Sequence, residues 1–277
     1  MQSLSDIRRL LEERGLRPDR RLGQNFLHDH RRIDRLIDAS GVGRGSLVLE
    51  VGPGTGVMTE ALLERGVELV CSELDRGLAD LVEERLGDRL VLVRGDCLGG
   101  GRKLAPEVES ALGGRPFTLV ANLPYQAASP LMADLAMRPG ARCLGQFVTI
   151  QKEVADRLLA PPGTKAWGTL GVIVRAFAEV ERIDVLPPGC FWPQPKVTSA
   201  MIAIRPIEPP AVDPADAEAF ARFVTAVFGR RRKQLGSTLG RGGAWPEGVA
   251  PDLRPEALDA SAFAELFRLR GHDAPAA

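Results

Sequence analysis

Apolar residues recur along the chain at two alternating spacings. Ile7, Leu10 and Leu11 lie at helical spacing within 5–15, with Ser5 or Asp6 placed to cap, and Ile33, Leu36 and Ile37 mark a second helix ended by the glycines of 41–45. A short apolar run at 46–51 predicts a strand leading into Gly52-Pro53-Gly54-Thr55-Gly56 and a helix over 57–65. Residues 68–73 predict the next strand, Leu78, Leu81, Val82 and Leu86 a helix, and 90–93 a third strand. A helix and turn over 106–114 precede the apolar run 117–121, which delivers Asn122-Leu123-Pro124-Tyr125. A helix over 131–137, a buried strand over 143–150 and a charged helix over 152–159 continue the alternation. Strands alternating with helices predict an α/β fold built on a parallel, doubly wound sheet.

Beyond Pro162 the pattern changes. A helix is expected over 167–177, then two strands, 178–186 and 197–204, as an antiparallel edge to the sheet. Phe220, Phe223, Val224, Val227 and Phe228 form a helical stripe ending in Arg230-Arg231-Arg232-Lys233, and Phe263, Leu266, Phe267 and Leu269 supply a last helix. Pro209, Pro210 and Pro214 cluster where a linker belongs, so residues 1–207 are expected as a main domain and 208–277 as a small helical one.

Composition narrows the classes. The chain has 277 residues, 44% of them hydrophobic, which suits one main domain with an appendage. The 36 basic residues balance the 36 acidic ones, so no global field points to a nucleic-acid partner and only local clustering can. Cys71, Cys97, Cys143 and Cys190 are far apart and form no Cys-x-x-Cys pair, which argues against zinc or a redox dithiol; no metal is expected. There is no apolar run long enough for a membrane span and no signal-peptide core, so a cytoplasmic protein is expected. With no heptad seam in view, a monomer is expected.

The glycines at 52, 54 and 56 let a backbone approach a ligand, while the following helix points its amides there. Val57 stands where a dinucleotide fingerprint carries its third glycine, which disfavours NAD. Glu73 follows Gly52 at the spacing of an acid that binds ribose hydroxyls. Asp96 is placed either to accept from an adenine amino group or to cap the next helix. In the tetrapeptide, the Asn122 amide oxygen and a backbone carbonyl fixed by Pro124 make two acceptors for an exocyclic amine, and Tyr125 offers a face for a base. This pattern suggests methyl transfer to a base amine; a plain β-turn with Tyr125 capping the core reads equally well from the tetrapeptide alone.

Taken in order, Leu22-Gly23-Gln24-Asn25-Phe26-Leu27, Glu50 to Gly56, Glu73-Leu74-Asp75, Gly95-Asp96, Asn122 to Tyr125, Phe191 to Lys196 and Phe228 to Leu235 resemble the KsgA/RsmA small-subunit (16S) ribosomal RNA adenine dimethyltransferases. The resemblance implies a Rossmann-like class I methyltransferase sheet with a small C-terminal α-helical domain. It implies S-adenosyl-L-methionine as donor and, as substrate, two adjacent adenosines near the 3′ end of small-subunit rRNA within an immature small ribosomal subunit. It also implies that Gln24, Asn25 and Leu27 close over the methionine part of the donor and that Gly52 and Gly54 admit the loop to it. Glu73 would bind its ribose, Asp96 its adenine amine, and Asn122 both the donor region and the target amine. Pro124 would help orient that amine, Tyr125 and Phe191 would sandwich the target base, and Arg230, Arg231, Arg232 and Lys233 would contact RNA. The chain departs from the family pattern at Trp167 in Lys165-Ala166-Trp167-Gly168, where the family has Tyr, at Thr198, often Asp, and at Gly236 and Ser237.

Other readings stay open from sequence. The methyltransferases that modify large-subunit RNA and confer macrolide resistance share the donor and acceptor motifs, although the segment 228–235 is closer to the small-subunit group. A non-catalytic ribosome assembly factor retaining the pocket is the alternative of a different class.

Overall fold

The computed structural model describes residues 1–138 and 142–271. Among these, seven strands form one sheet: β1 (Leu47–Val51), β2 (Glu68–Glu73), β3 (Val91–Arg94), β4 (Phe117–Asn122), β5 (Cys143–Gln151), β6 (Ala178–Leu186) and β7 (Ser199–Pro206). Their order is β3-β2-β1-β4-β5-β7-β6. The first five run parallel, and β7 pairs antiparallel with β5. β1 is buried along its whole length, as a central strand covered on both faces must be, and its continuous apolar run reflects that.

Strand order reverses between β1 and β4, which pair through Val48 with Thr118 and Leu49 with Leu119. From β1 the chain winds outward through β2 and β3, then returns to lay β4 and β5 on the other side. A crevice opens at the carboxyl ends of the two strands flanking such a switch. Here those ends are Gly52 after β1 and Asn122 in β4, so topology alone brings the glycine loop and the tetrapeptide together.

The helices are α1 (Leu4–Glu13), α2 (His30–Ser40), α3 (Val57–Glu64), α4 (Arg76–Leu86), α5 (Pro106–Leu112), α6 (Tyr125–Ala136), α7 (Lys152–Leu159), α8 (Thr169–Arg175), α9 (Ala217–Gly229), α10 (Leu235–Leu239) and α11 (Ala260–Arg270). Ser3, not Ser5 or Asp6, caps α1, and Asp6 completes a capping box as its third residue. α2 starts at Asp29 and ends on Gly41, whose φ of 67° is the left-handed conformation a helix stop favours. α6 begins at Tyr125, well before the expected 131, and carries Pro130 inside it. Its first turn is secured because the Pro124 carbonyl accepts from the amides of Ala127 and Ala128 at 3.1 and 3.2 Å.

The chain divides into two compact units. One takes 1–135, 141–155 and 181–205; the other takes 136–140, 156–180 and 206–277. A division at residue 207 lies close to the last crossing but puts 156–180 in the first domain. Packing assigns that segment to the second unit, because α8 rests on α9 and α11. Phe220 sits there between Phe177 and Phe267, with ring centroids 6.2 and 5.6 Å away, and Phe228 stacks on Phe263 at 5.4 Å. Trp167 is fully buried in the same unit and donates its Nε1–H to the Leu258 carbonyl at 2.8 Å. Gly171 is required beside it, since a Cβ there would stand 2.8 Å from the indole.

Candidate functional site

The site is built by loops at the carboxyl edge of the sheet, all within the first unit. Gly52 and Gly54 have φ of 73° and 62°, conformations that glycine adopts without penalty. A Cβ on Gly52 would lie 3.3 Å from the Pro124 ring, and one on Gly54 only 2.8 Å from Phe26. The loop is thus pressed between the tetrapeptide and segment 22–27, and side chains at these positions would fill the space.

Glu73 closes the loop from the neighbouring strand. Its carboxylate accepts from the Gly54 amide at 3.1 Å and the Asp75 amide at 2.9 Å. Burial pushes its pKa up, and those backbone hydrogen bonds pull against the rise. Asp75 caps α4 through the amides of Gly77 and Leu78, and its second oxygen accepts from Gln24 Nε2 at 2.9 Å. Gln24 Oε1 in turn accepts from the Asp19 amide at 2.7 Å. The Gln24 amide is therefore occupied at both ends in tethering its loop to the end of β2.

Asn122 Nδ2 donates to the Asn25 carbonyl at 3.0 Å. A carbonyl only accepts, so this contact fixes the amide's orientation and leaves Oδ1 as the free acceptor face. Asn25 Nδ2 donates to the Gly23 carbonyl at 2.9 Å, which keeps the loop folded on itself. Segment 26–27 pairs antiparallel with 191–192, Leu27 facing Phe191, so one short ladder carries Phe191 to the same place. Tyr125 is partly buried, and burial raises the phenol's pKa. Gly23 lies against its ring.

Two adjoining cavities result. The larger, about 300 Å³, has Glu73, Asp96, Leu98 and Arg102 in its walls; the smaller, about 80 Å³, has Gln24, Asn25, Asn122, Tyr125 and Phe191. They share Leu22, Gly52, Glu73, Leu74 and Pro124. Leu27 reaches neither. It is buried and lines a recess of about 30 Å³ with Glu50, Thr55 and Asn122. Asp96 is exposed, and its carboxylate accepts from the Leu98 amide at 2.9 Å, which shapes the outer loop.

Leu74, Leu22 and Glu50 were missed as site residues by reasoning from sequence. Leu74 is 51% exposed yet walls both cavities, an apolar residue between two acids at a strand end. Glu50 is 2% exposed in β1, with Thr59 Oγ1 donating to it at 2.8 Å and the Cys71 thiol at 3.6 Å. Burial pushes its carboxyl up to about 7 against those hydrogen bonds.

The arginine run belongs to the second unit, where Arg230, Arg231, Arg232, Lys233 and Ser237 line a cavity of about 500 Å³. Its members are not equivalent. Arg231 donates to the carbonyls of Thr164 and Lys165 at 3.0 and 3.1 Å and lies 3.8 Å from Glu256, so it braces the fold.

Residues 16–249 match the family described as ribosomal RNA adenine dimethylase. A protein of Rhodococcus opacus (strain B4) named ribosomal RNA small subunit methyltransferase A is 39% identical over 281 residues, covering 95% of this chain and 92% of its own. One of the same name from Magnetococcus marinus is 40% identical, covering 96% of both. Among solved structures, a dimethyladenosine transferase from Plasmodium falciparum superposes with a TM-score of 0.70 at 21% identity over 88% of this chain and 96% of that one. The 23S rRNA methyltransferase ErmE gives 0.63 at 23% identity over 88% and 98%. At these identities the two structures establish the shared fold.

Proposed function

The chain belongs to the ribosomal RNA adenine dimethylase family, and from that premise we propose that it methylates the N6 amines of two adjacent adenosines near the 3′ end of small-subunit rRNA, giving N6,N6-dimethyladenosine. The observation that carries this reading is the fixed Asn122 amide, whose acceptor face shares a cavity with Tyr125, Phe191 and the glycine loop. S-adenosyl-L-methionine, when bound, supplies an electrophilic methyl group on a sulfonium sulfur. The residues fit that donor: a glycine cradle with no room for side chains, an acid at the end of β2 for ribose hydroxyls, and Asp96 for an adenine amine. Leu74 and Leu22 provide the apolar walls, and Gln24 and Asn25 the lid over the methionine end.

A base amine is a poor nucleophile because its lone pair is delocalised into the ring. Asn122 Oδ1 accepts one of its hydrogens and draws it from the ring plane. The second acceptor is assigned to the Leu123 carbonyl, since the Pro124 carbonyl already receives the amides of Ala127 and Ala128. Pro124 holds Leu123 extended and packs on Gly52. Orientation of this kind, with no covalent enzyme intermediate, is the chief contribution of the protein. No side chain is assigned as base, because the methylated amine is cationic and loses its proton to water. Tyr125 and Phe191 stack the base, about 1–3 kcal/mol per base, which offsets the few kcal/mol of unstacking it from RNA.

Arg230, Arg232 and Lys233 contact phosphates, and Arg231 holds the loop that presents them. We place the protein in the cytoplasm, acting as a monomer on immature small subunits; no helix among the described residues is long and apolar enough to cross a membrane. Incubating it with methyl-labelled donor and immature subunits, then mapping modified bases, tests the proposal. Dimethyladenosine at two neighbouring positions of small-subunit RNA is expected, whereas label confined to large-subunit RNA, or none, refutes it.

A further inference from the structure

The glycine loop is gripped from behind as well as from the front. The carbonyl of Thr55 accepts from Gln2 Nε2 at 2.8 Å and from Arg85 Nη1 at 2.8 Å. Glu60, in the first turn of α3, accepts from the same two side chains, from Gln2 at 3.0 Å and from the other Arg85 terminal nitrogen. The backbone carbonyl of Gln2 receives His30 Nε2 at 2.6 Å, which seats the strap on α2. A Cβ on Gly56 would lie 3.2 Å from Leu86, 3.6 Å from Arg85 and 3.7 Å from Gln2, so this cluster is packed directly on the loop.

The arrangement is costly for a purely structural purpose. Gln2 is 5% exposed, and its Oε1 is buried without a hydrogen-bond partner. An apolar side chain would fill the same space without desolvating an amide. What the polar pair achieves is a fixed direction for the Thr55 carbonyl, three residues beyond Gly52. With Glu73 holding Gly54 from the ligand side, the loop is pinned at two points and keeps its left-handed turns before any ligand arrives.

We propose that Gln2 and Arg85 are positioning residues for the methyl-donor site, acting through Thr55 to pre-shape the 52–56 loop. The inference rests on the donor assignment made above. Gln2→Glu keeps the side chain's size while replacing its donor with an acceptor beside Glu60; Arg85→Met removes the guanidinium, and Arg85→Lys retains a charged donor. Two readouts apply: S-adenosylhomocysteine affinity by calorimetry, and amide exchange across 52–56 in the ligand-free protein. Gln2→Glu and Arg85→Met are expected to weaken binding about tenfold, the scale of one hydrogen bond to a charged or buried partner. They should also speed exchange at 52–56 while leaving KM for the small subunit unchanged, and Arg85→Lys should recover most of the affinity. Wild-type exchange across 52–56 in both Gln2→Glu and Arg85→Met overturns the proposal, as does unaltered affinity accompanied only by a lower melting midpoint. A wild-type protein that binds no S-adenosylhomocysteine overturns the donor assignment instead, and the exchange measurement, which uses no ligand, still decides whether the clamp holds the loop.

Discussion

Glu50 lies in the middle of the sheet, and replacing it by glutamine should change how stability depends on pH. Its carboxyl moves from an ordinary 4.5 to about 7, first because of burial and further because Glu73 is near, with Thr59 and Cys71 opposing. The folded state therefore holds this proton more tightly than the unfolded chain. The resulting stabilisation is fully present below 4.5 and is lost as pH rises through about 7. At about 1.4 kcal/mol per tenfold difference in acidity, the loss amounts to about 3 kcal/mol, a large part of a typical domain's stability. Glu50→Gln is neutral at every pH and still offers an oxygen to Thr59 Oγ1. Urea unfolding of both proteins at pH 5, 6, 7 and 8 confines the effect to Glu50 and the two groups coupled to it, Glu73 and Cys71, because the rest of the chain is shared. The stability of the variant relative to wild type should grow by about 2–3 kcal/mol between pH 5 and pH 8. Parallel stability profiles across that range would refute the reasoning and mean that Glu50 is ionised in the folded protein.

Other consequences can be measured directly. Asn122→Ala should lower methyl transfer about a hundredfold or more, the scale seen when one oriented polar contact to a reacting group is removed, while S-adenosylhomocysteine affinity by calorimetry stays within about threefold. Gly54→Ala must place a Cβ against Phe26 at a positive φ, so a loss of about 1–3 kcal/mol in urea unfolding and weaker donor binding are expected together. Trp167→Phe leaves the Leu258 carbonyl without its indole partner and should cost about 1–3 kcal/mol by the same assay, with activity per folded molecule retained. Arg232→Ala should reduce the salt dependence of small-subunit binding by about 0.7–0.9 in the log–log slope. Arg231→Ala should instead lower the melting midpoint of the second unit, because its guanidinium is spent on Thr164, Lys165 and Glu256.

The parts of the site legible in the sequence are those written locally. The run from Leu47 through Gly56 into α3, the acid at the end of β2 and the tetrapeptide after β4 each carry strand, turn and helix signals within a few residues, and the parallel sheet follows from their alternation. What escaped depends on partners distant in sequence. Nothing local to Gln24 shows that Asp75, 51 residues on, holds its amide nitrogen. Arg231 reads as one of four equal cations until carbonyls some 66 residues away claim it. The helix expected over 131–137 begins earlier, because the Pro124 carbonyl takes the amides of Ala127 and Ala128 and starts α6 at Tyr125. Leu74 gave no signal of its own, because one exposed leucine after a strand end has no periodic signature.

The second unit is discontinuous, and this constrains anyone wishing to recombine the protein. Cutting before residue 206 would not release a cassette: α8 and Trp167 would stay behind, stripped of the aromatic layer from α9 and α11 that shields them. A chimera exchanging tails between relatives must therefore transplant 156–180 along with the C-terminal stretch, or repack that layer anew. What this unit contributes is inherited through two main stretches of chain that have to change in concert.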